Sequence, residues 1–153
     1  MSEDARPRGV ADARELVGLT ELVGIRHLLV HGVHAEESDG RPTEPRTSMS
    51  IQARGDTGEL ETRVRIDITL ADADISAEVA VLYRFAEELT VPEAVVTEFV
   101  ERVSVMAAFP YVRESVSTTA SRLGVAPPVL GMLRAGEFQV ERTPEAPHDE
   151  PSR

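Results

Sequence analysis

The sequence predicts an α+β fold: a four-stranded antiparallel meander sheet covered on one face by a long, proline-kinked helix. Three observations carry that prediction. Val64, Ile66, Ile68 and Leu70 alternate with polar residues. After the short ADAD turn, Ile75, Ala77, Val79, Val81, Tyr83 and Phe85 line one face, with Ser76, Glu78, Ala80, Leu82 and Arg84 on the other. Period-two patterning across a short connection means an antiparallel pair with one packed and one wet face. From Val96 the apolar spacing changes to three and four, through Phe99, Val100, Val103, Met106 and Ala107 and on to Val112, Val116, Ala120 and Leu123. That is the stripe of an amphipathic helix, and strands followed by helix make a sheet layered by helix on one side.

Each element has a local reason. Residues 1–9 are polar with balanced charge and are expected to be a disordered tail. Leu16, Val17, Leu19, Leu22 and Val23 fall on one side of a helix assigned to 10–24, which Gly24 ends. The stretch 25–37, IRHLLVHGVHAEE, reads as a strand of imperfect alternation and opens a sheet region spanning 25–88. After the turn-rich SDGRPTEPRT, Met49, Ile51 and Ala53 alternate with Ser48, Ser50 and Gln52, and RGDTG suits a hairpin turn.

Thr90 with Glu93 reads as a capping box and Pro92 suits the first turn, opening a helix over 90–124. Pro110 should kink it, because proline supplies no N–H and crowds the carbonyl of Met106. Gly124 is a natural terminator. Residues 125–141 form a Pro-rich extended segment and 142–153 a disordered tail rich in Pro and Glu, leaving one domain at 10–141.

Composition excludes more than it selects. With 27 acidic and 16 basic residues the net charge is −11, and every basic residue is arginine. A chain without lysine has no Schiff-base nucleophile and no P-loop lysine. Without cysteine it has no disulfide, thiolate nucleophile or cysteine-held zinc. The acidic balance argues against a nucleic-acid partner. No apolar run approaches the ~20 residues that span a bilayer, and no signal-peptide pattern opens the chain, so a cytoplasmic location is expected.

Residues 109–114, FPYVRE, are the informative motif. A Phe-Pro-Tyr-x-Arg-Glu run inside an amphipathic helical region, preceded by four antiparallel strands and followed by Leu123-Gly124 and APPVL (126–130), resembles the SecB family of export chaperones. The N-terminal helix also looks like the SecB-like chaperones that accompany toxin–antitoxin pairs. The resemblance implies an ATP-independent holdase, without cofactor, that binds unfolded or nascent polypeptides in an apolar groove. It also implies a homotetramer, a dimer of dimers, handing its clients to the SecA secretion motor or serving an antitoxin. Glu78 is the best positional match for an acidic partner contact on the exposed sheet face. Within the motif, Phe109, Pro110, Tyr111, Arg113 and Glu114 are expected to be structural, with Arg113 and Glu114 bonding backbone groups freed by the kink.

Candidate client-binding residues are Leu89 and Val91 at the strand-to-helix junction, and Leu123, Val125, Val129, Leu130, Met132 and Leu133 around the Pro-rich segment. An extended chain lying in such a groove gains affinity from apolar pockets and tolerance from backbone hydrogen bonds. A dedicated interaction module for one partner is the alternative. Enzymatic readings find little: no G-x-S-x-G elbow is present, and Asp72, Asp74 and Glu59 fall in turns. His27 and His31 are expected on one strand face, about 13 Å apart at ~3.3 Å per residue, with His34 on the other. That spacing is too wide for one ion, so no metal site is expected.

Overall fold

The computed structural model describes residues 6–37, 40–131 and 140–142, the last three by backbone alone. Its centre is an antiparallel sheet of four long strands, β2 (Thr20–His34), β3 (Arg46–Gly55), β4 (Glu59–Thr69) and β5 (Ala73–Phe85). The spatial order is β2-β5-β4-β3, and a short fifth strand, β7 (Val140–Arg142), lies parallel against β3. The β4–β5 pair carries the alternation the sequence announced. Val64, Ile66, Ile68 and Leu70 are buried, as are Ile75, Ala77, Val79, Val81, Tyr83 and Phe85, all on the helix side. The RGDTG turn forms as expected, with Asp56 Oδ1 accepting from Gly58 N at 2.7 Å and Glu59 N at 3.0 Å.

The imperfect alternation of β2 has a physical cause. Its pairing with β5 is interrupted between Leu22 and Gly24 and again between His27 and Leu29. Each bulge inserts a residue and reverses which face the following side chains take. His27 therefore stands opposite Val79 and His34 opposite Ala73, on the helix side, while His31 stands opposite Ser76 on the other. The expectation that His27 and His31 share a face is corrected by the bulge at Leu28.

The N-terminal region also differs from its sequence reading. Helix α1 covers only Ala13–Gly18, not 10–24, because β2 has already begun at Thr20. Asp12 caps α1 by accepting from Glu15 N at 2.8 Å, and Glu15 reaches back to Ala11 N at 2.8 Å. Residues 8–9 are not tail: β1 (Arg8–Gly9) pairs in parallel with β6 (Leu89–Thr90), and Val10 is buried.

Thr90 is consequently a strand residue and not a cap. Helix α2 (Glu93–Phe99) starts from Pro92 with no side-chain cap. A π-helical turn at Val100–Ser104 then joins it to α3 (Val105–Leu123). That turn closes five residues, and the buried stripe passes from Val100 to Ser104 and Val105. Val105, Ala108 and Phe109 rotate into the core, and Met106, expected inside, is left exposed. Pro110 lies within α3 without ending it, and the break in helical period falls at 100–104. Gly124 ends the helix with φ 71°. Phe99, wholly buried, meets Tyr83 edge to face at 5.0 Å and fixes the helix layer to the sheet.

Candidate binding surface

Apolar side chains left outside the core concentrate on one border. Leu22, Val23, Leu28, Val30 and Val33 of β2 are exposed, as are Tyr111 and Met106 of α3. The cause is topological: β2 is an outer strand of fifteen residues, and among the described residues one of its edges has no strand beside it. Leu22 and Val30 stand opposite Tyr83 and Ala77, on the helix side. His27 of the same face meets Tyr111 edge to face at 6.4 Å and shares a hydrogen bond of 3.0 Å with Ser115. Val30, 51% exposed, and His27 line one shallow cleft between β2 and α3, of about 210 Å³, with Glu114, Thr118 and Arg122, and Tyr111, 41% exposed, meets the cleft through the His27 ring. The π turn and the two bulges produce this band, and neither is visible as a simple period in the sequence.

Of the eight candidate client-binding residues, the six that are described lie in two places. Leu89 and Val91 lie at the Phe85 end of β5, lining a cavity of about 400 Å³ with Leu60, Phe85 and Val96. Leu89 itself is buried, and Val91 packs against the core half-buried. Leu123 lies beside Gly32, which pairs with Ile75. Ten residues of β5 separate Ile75 from Phe85, about 33 Å of strand. Val125 is buried, Leu130 is partly buried, and Val129 is 96% exposed. Met132 and Leu133 lie outside the described residues.

The FPYVRE run divides its labour. Phe109 and Val112 are buried, and the Arg113 guanidinium sits 4.9 Å above the Phe109 ring. Arg113 donates to the carbonyls of Leu130 (3.4 Å) and Gly131 (3.3 Å), tying the segment after Pro127-Pro128 back onto α3. Backbone groups near Pro110 were its expected partners. Glu114 accepts from Thr118 Oγ1 at 2.8 Å.

The opposite sheet face is polar. Glu78, half-buried, stands between Leu29 and Arg65. Near the centre Glu61 is buried and accepts from Arg63 (2.7 Å), Arg54 (3.0 Å) and Arg26 (3.2 Å). Burial pushes the Glu61 carboxyl up, but the hydrogen bonds of Arg63 and Arg54 outweigh it, and the net displacement is below the usual carboxylate range. Asp67 is held low in the same way by Arg65, against its burial. Among the described residues no three His, Asp or Glu side chains converge as metal ligands, and no helix is long and apolar enough to cross a membrane.

No protein-family model matches the chain. The chain is 28% identical over 142 residues to the SecB-like chaperone SmegB of Mycolicibacterium smegmatis, covering 90% of this chain and 92% of that protein. Its fold matches that of the Mycobacterium tuberculosis SecB-like chaperone Rv1957, solved in complex with a ChAD peptide from the HigA1 antitoxin. The TM-score is 0.61 at 17% identity, covering 80% of this chain and 93% of that one. The resemblance carried by FPYVRE is therefore met twice over, and the chain is SecB-like in sequence along nine-tenths of its length and SecB-like in fold.

Proposed function

We propose that this protein is a chaperone that holds non-native polypeptides without nucleotide, working as an oligomer. The observation that carries the reading is the band of exposed apolar side chains along β2 and α3. An acidic chain of this size has no structural need for five large apolar residues standing open on one edge strand, and such bands mark surfaces that take a polypeptide. Two copies pairing β2 to β2 would satisfy the open backbone edge. Leu22, Val30 and Tyr111 of each copy would then remain on the helix side as the walls of a client groove. The chaperones SmegB and Rv1957 support the class of function, and the ChAD peptide held by Rv1957 supports an antitoxin as the kind of client. Delivery to a secretion motor draws no such support, since Glu78, its expected contact, is half-buried beside Arg65.

The test is light scattering from a chemically denatured client diluted into buffer without ATP. Suppressed aggregation at molar excess of the protein is expected, together with a solution mass of a dimer or tetramer. Unchanged scattering would end the holding reading, and a monomer at micromolar concentration would end the edge-pairing part of it. Suppression confined to one antitoxin peptide would replace general holding with a dedicated partner.

A further inference from the structure

The charge excess of the chain is acidic, yet the open sheet face does not share it. The register places Arg26, Arg46, Arg54, Arg63, Arg65 and Arg84 on that face, and Glu21, Glu59, Glu61, Glu78, Asp67 and Asp74 with them. The face balances at zero in a chain whose net charge is −11. Within it the charges are sorted. Glu21 and Glu59 flank Arg84 at one end, and Asp67 and Asp74 lie toward the other. The middle holds three arginines around a single carboxylate, a surplus of two positive charges.

That surplus exceeds what Glu61 requires. The Glu61 side chain is 6% exposed, and one or two hydrogen-bonded guanidinium groups suffice to compensate a buried carboxylate. Three strands each contribute one: Arg26 from β2, Arg63 from β4 and Arg54 from β3, with side chains 63%, 33% and 61% exposed. Arg54 and Arg63 are both engaged through Nε, so their terminal nitrogens stand outside the contact. Among the described residues none of the three touches another carboxylate. Between Arg26 and Arg63 the register sets only the small Ala80, and Gln52 completes a recess of about 200 Å³ with Ala53, Arg54, Glu61 and Arg63.

We propose that Arg26, Arg54 and Arg63, held by Glu61 at the centre of the open sheet face, form a docking site for the carboxylates of a short acidic polypeptide segment. Paired Nη groups receive a carboxylate in bidentate fashion: Arg54 and Arg63 keep both Nη groups outside the Glu61 contact, Arg26, engaged through Nη2, keeps Nη1, and groups preset on a rigid sheet lose little freedom on binding. The flanking acids limit the site to a few residues of ligand. They also disfavour a long polyanion such as nucleic acid, which would have to run over Glu59 or Asp67 and against the net charge of the chain. At 0.15 M salt the screening length is about 8 Å, so the local surplus prevails over the distant acid. The site lies on the sheet face away from α2 and α3 and is independent of the polypeptide-holding reading.

The experiment is fluorescence anisotropy of a labelled decapeptide alternating Glu and Ser, against a control with Gln for Glu, on the full chain and its variants. Arg26→Gln and Arg54→Gln are each expected to weaken the acidic peptide about three- to tenfold, and rising salt to weaken it further. A purely structural cluster gives another pattern: these variants lower the melting temperature and leave the affinity unchanged, and that result overturns the proposal. Equal binding of the Gln peptide, or tighter binding of an oligonucleotide of equal charge, overturns it as well. If Arg54→Gln fails to fold, Arg26→Gln, whose contact is the longest and most exposed, decides between the same outcomes.

Discussion

Gly32 offers the sharpest test of how β2 meets α3. A methyl group at Gly32 would overlap the Thr119 methyl and stand 3.0 Å from Leu123 Cδ1, so strand and helix approach more closely there than any side chain permits. Gly24, on the same strand, is the internal control, since its nearest neighbour would be Leu82 Cβ at 3.8 Å, an ordinary contact. Overpacking of this kind costs about 1–3 kcal/mol. In a chain of this length each kcal/mol moves the melting temperature by roughly 2–4 °C, so Gly32→Ala should melt about 2–12 °C lower. Gly24→Ala should be neutral or up to ~1 kcal/mol stabilising, because alanine lowers the entropy of the unfolded chain. Thr119→Ser removes the obstructing methyl. In the Gly32→Ala background it should recover part of the loss, a coupling of about 0.5–2 kcal/mol in the double-mutant cycle. Thermal melts of the wild type, the Gly24→Ala control and the three variants of the cycle by circular dichroism decide it. If Gly32→Ala melts with the wild type, or Thr119→Ser gives no recovery, the close packing of β2 on α3 is refuted.

Other consequences follow from the core and its charges. Phe99→Ala should cost about 3–5 kcal/mol, whereas Met106→Ala should cost under ~1 kcal/mol. Equal losses in chemical denaturation would mean that the π turn does not set the helix phase. Glu61 and Asp67 are both held below their ordinary range, so the stability they contribute is fully present above the unfolded carboxylate value, about pH 4, and is lost as pH falls through their folded values. Melting temperature should therefore drop on acidification from pH 5 to pH 2, and Glu61→Gln should flatten that limb. An unchanged acid limb in the variant would show that Glu61 adds nothing to folding.

How much of this was legible in the sequence depends on whether a period stayed intact. In β4 and β5 no residue interrupts the alternation from Leu60 to Thr69 or from Ala73 to Phe85, and the buried face could be read directly. In β2 the extra residues at Val23 and Leu28 flip the face, so His27 and His31 are separated and Val30 emerges on the helix side. Along the helices Val103 and Met106 fit a regular stripe, but the π turn passes their places to Ser104 and Val105. Leu89 and Leu123 read alike as surplus apolar residues. Nothing local says that one seals the core at the Phe85 end of β5 while the other rests beside Gly32. The Glu61 cluster was hidden for the same reason, because the pairing of β2, β5, β4 and β3 brings Arg26 to within reach of a carboxylate 35 residues away. Identity along the chain was better preserved than geometry, and FPYVRE pointed to the fold without indicating where a client would lie.

The measurement that bears most directly on the central claim is the affinity of a labelled, permanently unfolded polypeptide for Tyr111→Ser and Val30→Ser, followed by anisotropy without nucleotide. Both side chains are half exposed, so either change should leave the melting temperature within about 2 °C and the oligomeric mass unaltered. Affinity is predicted to fall about tenfold in the double variant, equivalent to 1.4 kcal/mol. Wild-type affinity in a folded double variant of unchanged mass would contradict the claim that the β2–α3 band holds the client.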